Sequence, residues 1–310
     1  DLLLTSMDTK GDIESDEVVS EISESTILVA LRVEDEESYL EELETLKNIN
    51  LTISKTGEFI ALLGHTGSGK STLVQLMNAL ILPTSGNLTI LNHQINSKKT
   101  KNKNLKEIRK QIGLVFQFPE YQLFEETVLK DVMFGPMNFG KTKDQAKDIA
   151  IKTLQGLNVD PSLYEKSPFN LSGGQKRKVA IAGILASNPD ILILDEPTVG
   201  LDPVGKKELL ELLKKIHEDT NKTIIVITHD MNVVTKYTNR TLVLNSGEIV
   251  YDGKTQELFR NYKKLESYNL DLPYISKMAL KLKEKGLIDY KELPLTLEEL
   301  HNTIKEAKDE

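Results

Sequence analysis

The 310-residue sequence predicts an α/β fold built on a parallel sheet, and three features carry that reading. Apolar runs at 58–63 (EFIALL), 191–197 (ILILDEP) and 223–230 (TIIVITHD) alternate with longer stretches of helical period. That alternation marks strand–helix–strand units, whose strands pair in parallel beneath covering helices. The first run leads straight into a glycine-rich loop and a helix, and ligands of such sheets sit at the strand carboxyl ends. Hydrophobic residues make up 39% of the chain, enough for a large buried core rather than a disordered polymer.

Composition excludes several classes. Cys and Trp are absent, which removes disulfide scaffolds, thiolate metal sites and cysteine nucleophiles. No apolar run approaches the roughly 18 residues that a membrane span needs. The chain opens on Asp1 rather than Met, as a trimmed or processed form would, and its first residues lack the basic-then-apolar secretory pattern. It reads as a soluble chain that can still sit on a membrane partner. Residues 1–45 carry 15 acidic and 2 basic residues, a net −13, which leaves the remainder at +5. The overall acidity argues against a nucleic-acid partner, which needs a basic stripe.

The elements follow in order. Residues 1–26 form an acidic segment without apolar periodicity, expected to stay solvated and disordered. ILVALR (27–32) reads as a first strand, and 34–44 as an acidic loop or short helix. LKNINLTIS (46–54) alternates with period two, as a half-buried strand does. Thr56-Gly57 closes a turn before the buried strand 58–63. Residues 97–110, rich in Lys and Asn, read as a surface connection. IGLVFQ (112–117) is strand-like; 118–170 is mostly helical in pattern and forms a helical subdomain; a helix is expected over 174–187. Then come the strand 191–197, a helix at 203–218, the strand 223–230 and a hairpin at 241–253. Residues 27–253 thus form one large domain, followed by a Leu-, Lys- and Glu-rich helical region at 254–310.

The chemistry begins at Gly64-His65-Thr66-Gly67-Ser68-Gly69-Lys70-Ser71, a match to G-x-x-x-x-G-K-[ST] in the required strand-to-helix context, with Thr72 next. Its glycines let backbone N–H groups turn inward around phosphate oxygens, and the helix beginning near Lys70 adds its positive end. The Lys70 ammonium can bridge β- and γ-phosphates, and the Ser71 hydroxyl can ligate Mg²⁺.

Further motifs follow in a fixed order: Leu171-Ser172-Gly173-Gly174-Gln175, then Ile191-Leu192-Ile193-Leu194-Asp195-Glu196, then His229 at the end of an apolar strand. Here the sequence resembles the ATP-binding cassette (ABC) ATPases over about residues 27–253. The resemblance implies the P-loop NTPase fold of that family, a RecA-like core with an antiparallel β part and a helical subdomain. It also implies residue roles. Asp195 would hold Mg²⁺, and Glu196 would be the general base for the attacking water. Gln117 would sense the γ-phosphate and the metal, and His229 would hold water and Glu196 in line. Ser172, Gly173, Gly174 and Gln175 would meet the γ-phosphate of ATP held by a second cassette, with Leu201-Asp202 crossing that interface. The family's adenine-stacking aromatic falls near Val33 to Asp35, where none stands; Tyr39 is the nearest candidate.

The stretch Phe116-Gln117-Phe118-Pro119-Glu120-Tyr121-Gln122-Leu123-Phe124, continuing through Phe134-Gly135-Pro136, resembles the energy-coupling factor (ECF) transporter ATPases, importers of cobalt and vitamins. HTGSGKST and DEPTVGLDP are similar to the second ATPase of that family's pair, as are LDLPYISKMALKLKEKG (270–286) and PLTLEEL (294–300). Implied partners are a paired ATPase, a transmembrane coupling protein and substrate-binding membrane subunits, with the chain peripheral on the cytoplasmic face of the membrane. Glu120 is the first choice to meet an Arg of the membrane protein, among Phe118, Tyr121, Phe124, Glu125, Glu126 and Met133. The alternative is a soluble ABC ATPase of DNA maintenance or translation. The former usually inserts a long coiled coil between phosphate loop and signature, where this chain has only 72–170; the latter carries two cassettes. Residues 254–310 are too few for a large regulatory domain.

Overall fold

The computed structural model describes residues 26–27, 45–95 and 105–309. The predicted strand at 27–32 is met only at its start: β1 (Thr26–Ile27) pairs antiparallel with β2 (Ile53–Ser54), and 28–32 lie outside the described residues, as do 34–44 and Tyr39. The alternating segment 46–54 is not a continuous strand. Leu46, Ile49, Leu51 and Ile53 are buried, but only 53–54 pair, and Asn48 takes φ +48°, a left-handed turn that breaks any ladder. Its alternation reports burial of one side of an irregular segment.

β3 (Phe59–Leu63) is buried along its whole length, as a strand covered on both faces must be. It feeds the glycine-rich loop and α1 (Lys70–Met77). β4 (Leu88–Ile90) and β5 (His93–Ile95) form a small antiparallel pair. The expected surface connection at 97–110 contains a helix instead, α2 (Leu105–Gln111), seated by the fully buried Ile108. β6 (Ile112–Val115) leads to α3 (Val128–Asn138) and α4 (Lys143–Gly156). α5 (Gly173–Leu185), β7 (Ile191–Asp195), α6 (Pro203–Thr220), β8 (Thr223–Ile227) and α7 (Met231–Tyr237) follow. β9 (Arg240–Asn245) and β10 (Glu248–Lys254) make the hairpin. The last part holds α8 (Thr255–Arg260), α9 (Tyr262–Ser267), α10 (Tyr274–Glu284) and α11 (Leu297–Asp309).

The main sheet runs β10-β9-β3-β8-β7-β6, parallel except for β10. The chain thus crosses from β3 to β6 and returns through β7 and β8, which sets the carboxyl ends of β3, β7 and β8 side by side. Three apolar layers support them. Leu62, Leu73, Ile193 and Ile225 pack on one face, and Phe59, Leu194, Leu209 and Val226 on the other. α3, α4 and α5 share a separate core around Val132, Ala150, Leu154 and Val179.

Candidate nucleotide site

The phosphate loop is shaped by close backbone approaches. Gly64 has φ +148°, and a Cβ there would stand 2.2 Å from the Leu244 carbonyl oxygen. Gly69 has φ +99°, and a Cβ there would meet Leu46 and the Thr45 carbonyl within 2.8 Å. Side chains at either place would push the loop off the sheet. The β9–β10 turn braces it: Gly247 N donates to the Ser68 carbonyl at 3.1 Å. Ser68 N donates to His65 O, and the His65 ring spans Thr66 O (2.7 Å) and Asn245 Oδ1 (3.1 Å). Thr66, Gly67 and Ser71 are exposed, and Thr72 is half-buried on the first turn of α1.

Lys70 is buried, and its Nζ donates to the carbonyls of Gly64 and His65, both at 2.8 Å. Burial pushes its pKa below the usual lysine value, against the pull of Glu196 and Asp195. A cation held against loop carbonyls, with no carboxylate of the described residues in direct contact, is placed to exchange them for phosphate oxygens.

The carboxylates come from β7. Asp195 ends the strand, and Ser71 Oγ donates to its Oδ2 at 3.4 Å. Glu196 follows in a left-handed conformation, φ +48°, fixed by its N–H donating to Ile227 O of β8. Strain of this kind persists only where the surrounding structure holds it, and it clusters at functional sites. Glu196 Oε1 lies 2.9 Å from His229 Nε2; the Glu196 side chain is 12% exposed and that of His229 56%. Desolvation raises both carboxyl pKa values above the ordinary range, with Lys70 and His229 opposing it in each case.

Thus Lys70, Ser71, Asp195, Glu196 and His229 are brought together at adjacent strand ends. Gln117 is exposed two residues past β6. Among the described residues, Ser172, Gly173, Gly174 and Gln175 share no hydrogen bond or ion pair with this group. Ser172 caps α5, its Oγ accepting from Gln175 N while Gln175 Oε1 accepts from Ser172 N. Gly173 and Gly174 are exposed, and a Cβ at either would meet only open space.

A metal at this site has two hard oxygen donors to hand, the Ser71 hydroxyl and the Asp195 carboxylate, which suit Mg²⁺. No group of three or more His, Asp or Glu able to hold a metal occurs among the described residues, so these two donors need nucleotide oxygens and water to complete the shell.

Glu120 is not free to meet a partner. Its carboxylate takes Arg177 Nε at 3.2 Å and Nη2 at 3.0 Å, with side chains 18% and 5% exposed. The two-pronged geometry satisfies it within the chain. Arg177 Nη1 also donates to the carbonyls of Pro197 and Val199, so one guanidinium ties the segment after Gln117, α5 and the turn beyond Glu196. Sequence reasoning missed Arg177, because one basic residue beside the signature gives no signal of its own.

Between β6 and α3 lies a largely apolar groove of about 310 Å³, lined among others by Leu80, Phe116, Phe124, Asp131 and Phe134. A second of about 430 Å³ adjoins it at Glu125, Met133, Phe134 and Met137. Phe124 and Phe134 meet edge to face at 4.9 Å and are 57% and 48% exposed. Asp131 Oδ2 accepts from Phe124 N and Glu125 N and fixes that rim.

The sequence profile of the ABC transporter family matches residues 46–199. The energy-coupling factor transporter ATP-binding protein EcfA2 of Ligilactobacillus salivarius (strain UCC118) is 49% identical over 84% of this chain and 89% of its own. That of Streptococcus pyogenes (serotype M5, strain Manfredo) is 49% identical over 85% and 93%. The structure of cbiO1 from Clostridium perfringens, part of the ABC transporter complex cbiONQ, is similar with a TM-score of 0.67 and 35% identity over 84% of this chain and 96% of that one. The dimeric post-hydrolysis structure of the ATP-binding cassette MJ0796 with ADP and Pi is similar at 0.62 and 33% over 74% and 98%.

Proposed function

The chain belongs to the ABC transporter family, among the energy-coupling factor transporter ATP-binding proteins, and from that premise we infer that it binds and hydrolyses ATP to power a micronutrient importer for a vitamin or transition metal. The observation that carries the chemistry is the Glu196–His229 pair at 2.9 Å, beside Lys70 and Asp195 at neighbouring strand ends. Residues 27–253 are the ATP-binding unit and 254–310 an added helical region.

Lys70 and the phosphate-loop amides hold the β- and γ-phosphates. Glu196, desolvated, accepts a proton from the attacking water, and His229 orients both. Gln117 faces the same phosphate from the end of β6. A Mg²⁺ ion on Ser71 and Asp195 would supply charge neutralisation for the phosphate oxygens. Tyr39 remains the proposed adenine contact.

The exposed Ser172–Gln175 surface reads the nucleotide of a second ATPase subunit, so a complete site needs two cassettes, here a heterodimer. Full-length protein alone is expected to turn over ATP slowly, and adding the paired ATPase is expected to raise the rate. A steady-state ATPase titration checks this, and full activity in a verified monomer would overturn the shared site.

The apolar groove beside Gln117 receives the transmembrane coupling protein, which in turn holds the substrate-binding subunits. With Glu120 consumed by Arg177, Glu125, which shares the groove lining with Lys130 and Lys143, is the carboxylate there to meet a basic residue of that protein. Glu125→Arg is expected to lower co-purification of the membrane complex at least about tenfold while ATP binding by the isolated subunit is unchanged. Glu120→Arg, by contrast, sets like charges together inside the chain and acts first on its own fold. The chain sits peripherally on the cytoplasmic face of the membrane in this reading; none of the helices among the described residues is long and apolar enough to cross one.

A further inference from the structure

The backbone that presents His229 is short. Between the end of β8 at Ile227 and the start of α7 at Met231 stand only Thr228, His229 and Asp230. The His229 side chain is more than half exposed, so its direction toward Glu196 depends on how this turn is held. Asp230 holds it. Its N–H donates to the hydroxyl of buried Thr228 at 3.1 Å, and its Oδ1 caps α7 by accepting from Asn232 N at 2.9 Å. Its Oδ2 pairs with Lys206, four residues beyond Asp202.

Asn232 extends this network out of the ATP-binding unit. Its Nδ2 donates to Asp230 Oδ1 at 3.0 Å, and its Oδ1 accepts the N–H of Tyr274 at 2.9 Å. Tyr274 opens α10, and that helix has no side-chain cap of its own: its N-cap is Pro273. Asn232 therefore satisfies a helix-terminal donor from 42 residues away in sequence. Packing follows the same line. Met231 and Val234 of α7 share an apolar cluster with Leu270, Leu272 and Leu295 of the C-terminal region. α10 is itself fixed to the segment before α11, where buried Ser276 Oγ donates to Pro294 O at 2.8 Å.

We propose that the C-terminal helical region positions the catalytic histidine, with Asn232 transmitting the seating of α10 to Asp230 and so to the turn that carries His229. Asn232 is a positioning residue: its side-chain hydrogen bonds run to Asp230 and to Tyr274. The proposal rests on the reading of His229 as the partner of Glu196. A shift of α10 would release Asn232, loosen the cap of α7 and lower turnover while leaving the phosphate loop, and hence ATP affinity, untouched.

The bridge can be cut from its far end. Tyr274→Pro removes the single N–H that Asn232 accepts. Proline is tolerated at the first position of a helix, and Pro273 already has ψ 152°, the extended conformation a following proline requires. Tyr274→Ala keeps the N–H and loses only a side chain that is 73% exposed. The full-length chain, assembled with its paired ATPase, is assayed for kcat, KM for ATP and Tm in Tyr274→Pro, Tyr274→Ala, Asn232→Leu, the Tyr274→Pro/Asn232→Leu double variant and His229→Ala. Tyr274→Pro is expected to lower kcat about fivefold, the worth of one hydrogen bond, and Asn232→Leu, which also loses the bond from its Nδ2 to Asp230, at least as much, with KM within about twofold of the parent in both. The double variant is expected to lose no more than Asn232→Leu alone, because that change already cuts the bond that Tyr274→Pro removes. Tyr274→Ala is expected to match the parent. Equal kcat in folded Tyr274→Pro and Tyr274→Ala, additive losses in the double variant, or a loss confined to KM would each overturn the proposal. Should Asn232→Leu fail to fold, the Tyr274→Pro and Tyr274→Ala comparison decides alone. Parent-level turnover in His229→Ala would overturn the reading of the histidine and the proposal with it. His229 dependence alongside an unaffected Tyr274→Pro would overturn the coupling only.

Discussion

Glu196→Gln is expected to lower ATP turnover at least about 100-fold while ATP still binds. Gln keeps the shape of the side chain and its place in the left-handed turn after β7 but cannot accept the proton of the attacking water. In the proposed site the phosphates are held by Lys70 and the loop of 64–69, and the bonds of Lys70 to Gly64 and His65 do not involve Glu196. Nucleotide-bound dimer should therefore accumulate, visible by size-exclusion chromatography with ATP present. The same carboxyl gives a pH signature. Burial raises its pKa above that of an ordinary glutamate, and a general base works only when deprotonated. Turnover should thus fall on the acid side at a higher pH than an unperturbed glutamate would set, and that acid limb should vanish from the residual rate of Glu196→Gln. Parent-level turnover in the variant would remove Glu196 from the reaction.

The phosphate loop, the Asp195-Glu196 pair and His229 were legible in the sequence because each depends on local chemistry at a fixed place on a strand end. Apolar runs such as 191–194 are buried along their length, so they stand out as strands before any neighbouring strand is known. Segment 46–54 misled, since alternation records which residues are buried and not whether a neighbouring strand is there to pair. α2 was missed because a Lys- and Asn-rich stretch hides one buried side chain, Ile108, that seats a short helix. The Glu120–Arg177 bridge joins residues 57 apart, and the Asn232–Tyr274 bridge joins residues 42 apart. Neither spacing follows a helical or strand period, so both are products of the tertiary fold. Glu120 shows the cost of this: its place after Gln117 made it the natural docking carboxylate, and a partner on α5 had already taken it.

Lys70→Ala is expected to act at the opposite point from Glu196→Gln, on binding rather than on the chemical step. Lys70 is buried, and its ammonium is held by two carbonyls at 2.8 Å. Desolvation outweighs the attraction of Glu196 and Asp195 and lowers its pKa, so the unliganded protein keeps this charge at a cost that phosphate contact relieves. A charge-assisted hydrogen bond contributes about 1.5–3 kcal/mol, so removing the ammonium should weaken ATP binding roughly 10- to 100-fold. Thermal unfolding separates the two effects. The Tm of the unliganded variant should be close to that of the parent, because an unfavourably buried charge has been removed along with its two hydrogen bonds. The rise in Tm that saturating ATP gives the parent should shrink or disappear in the variant at the same nucleotide concentration. A second consequence concerns Glu196. Lys70 lowers the pKa of that carboxyl, so its loss should push the carboxyl further up and move the acid limb of any residual turnover to higher pH. An ATP-induced rise in Tm as large as the parent's would show that the phosphates are held without Lys70 and that the loop amides carry the binding.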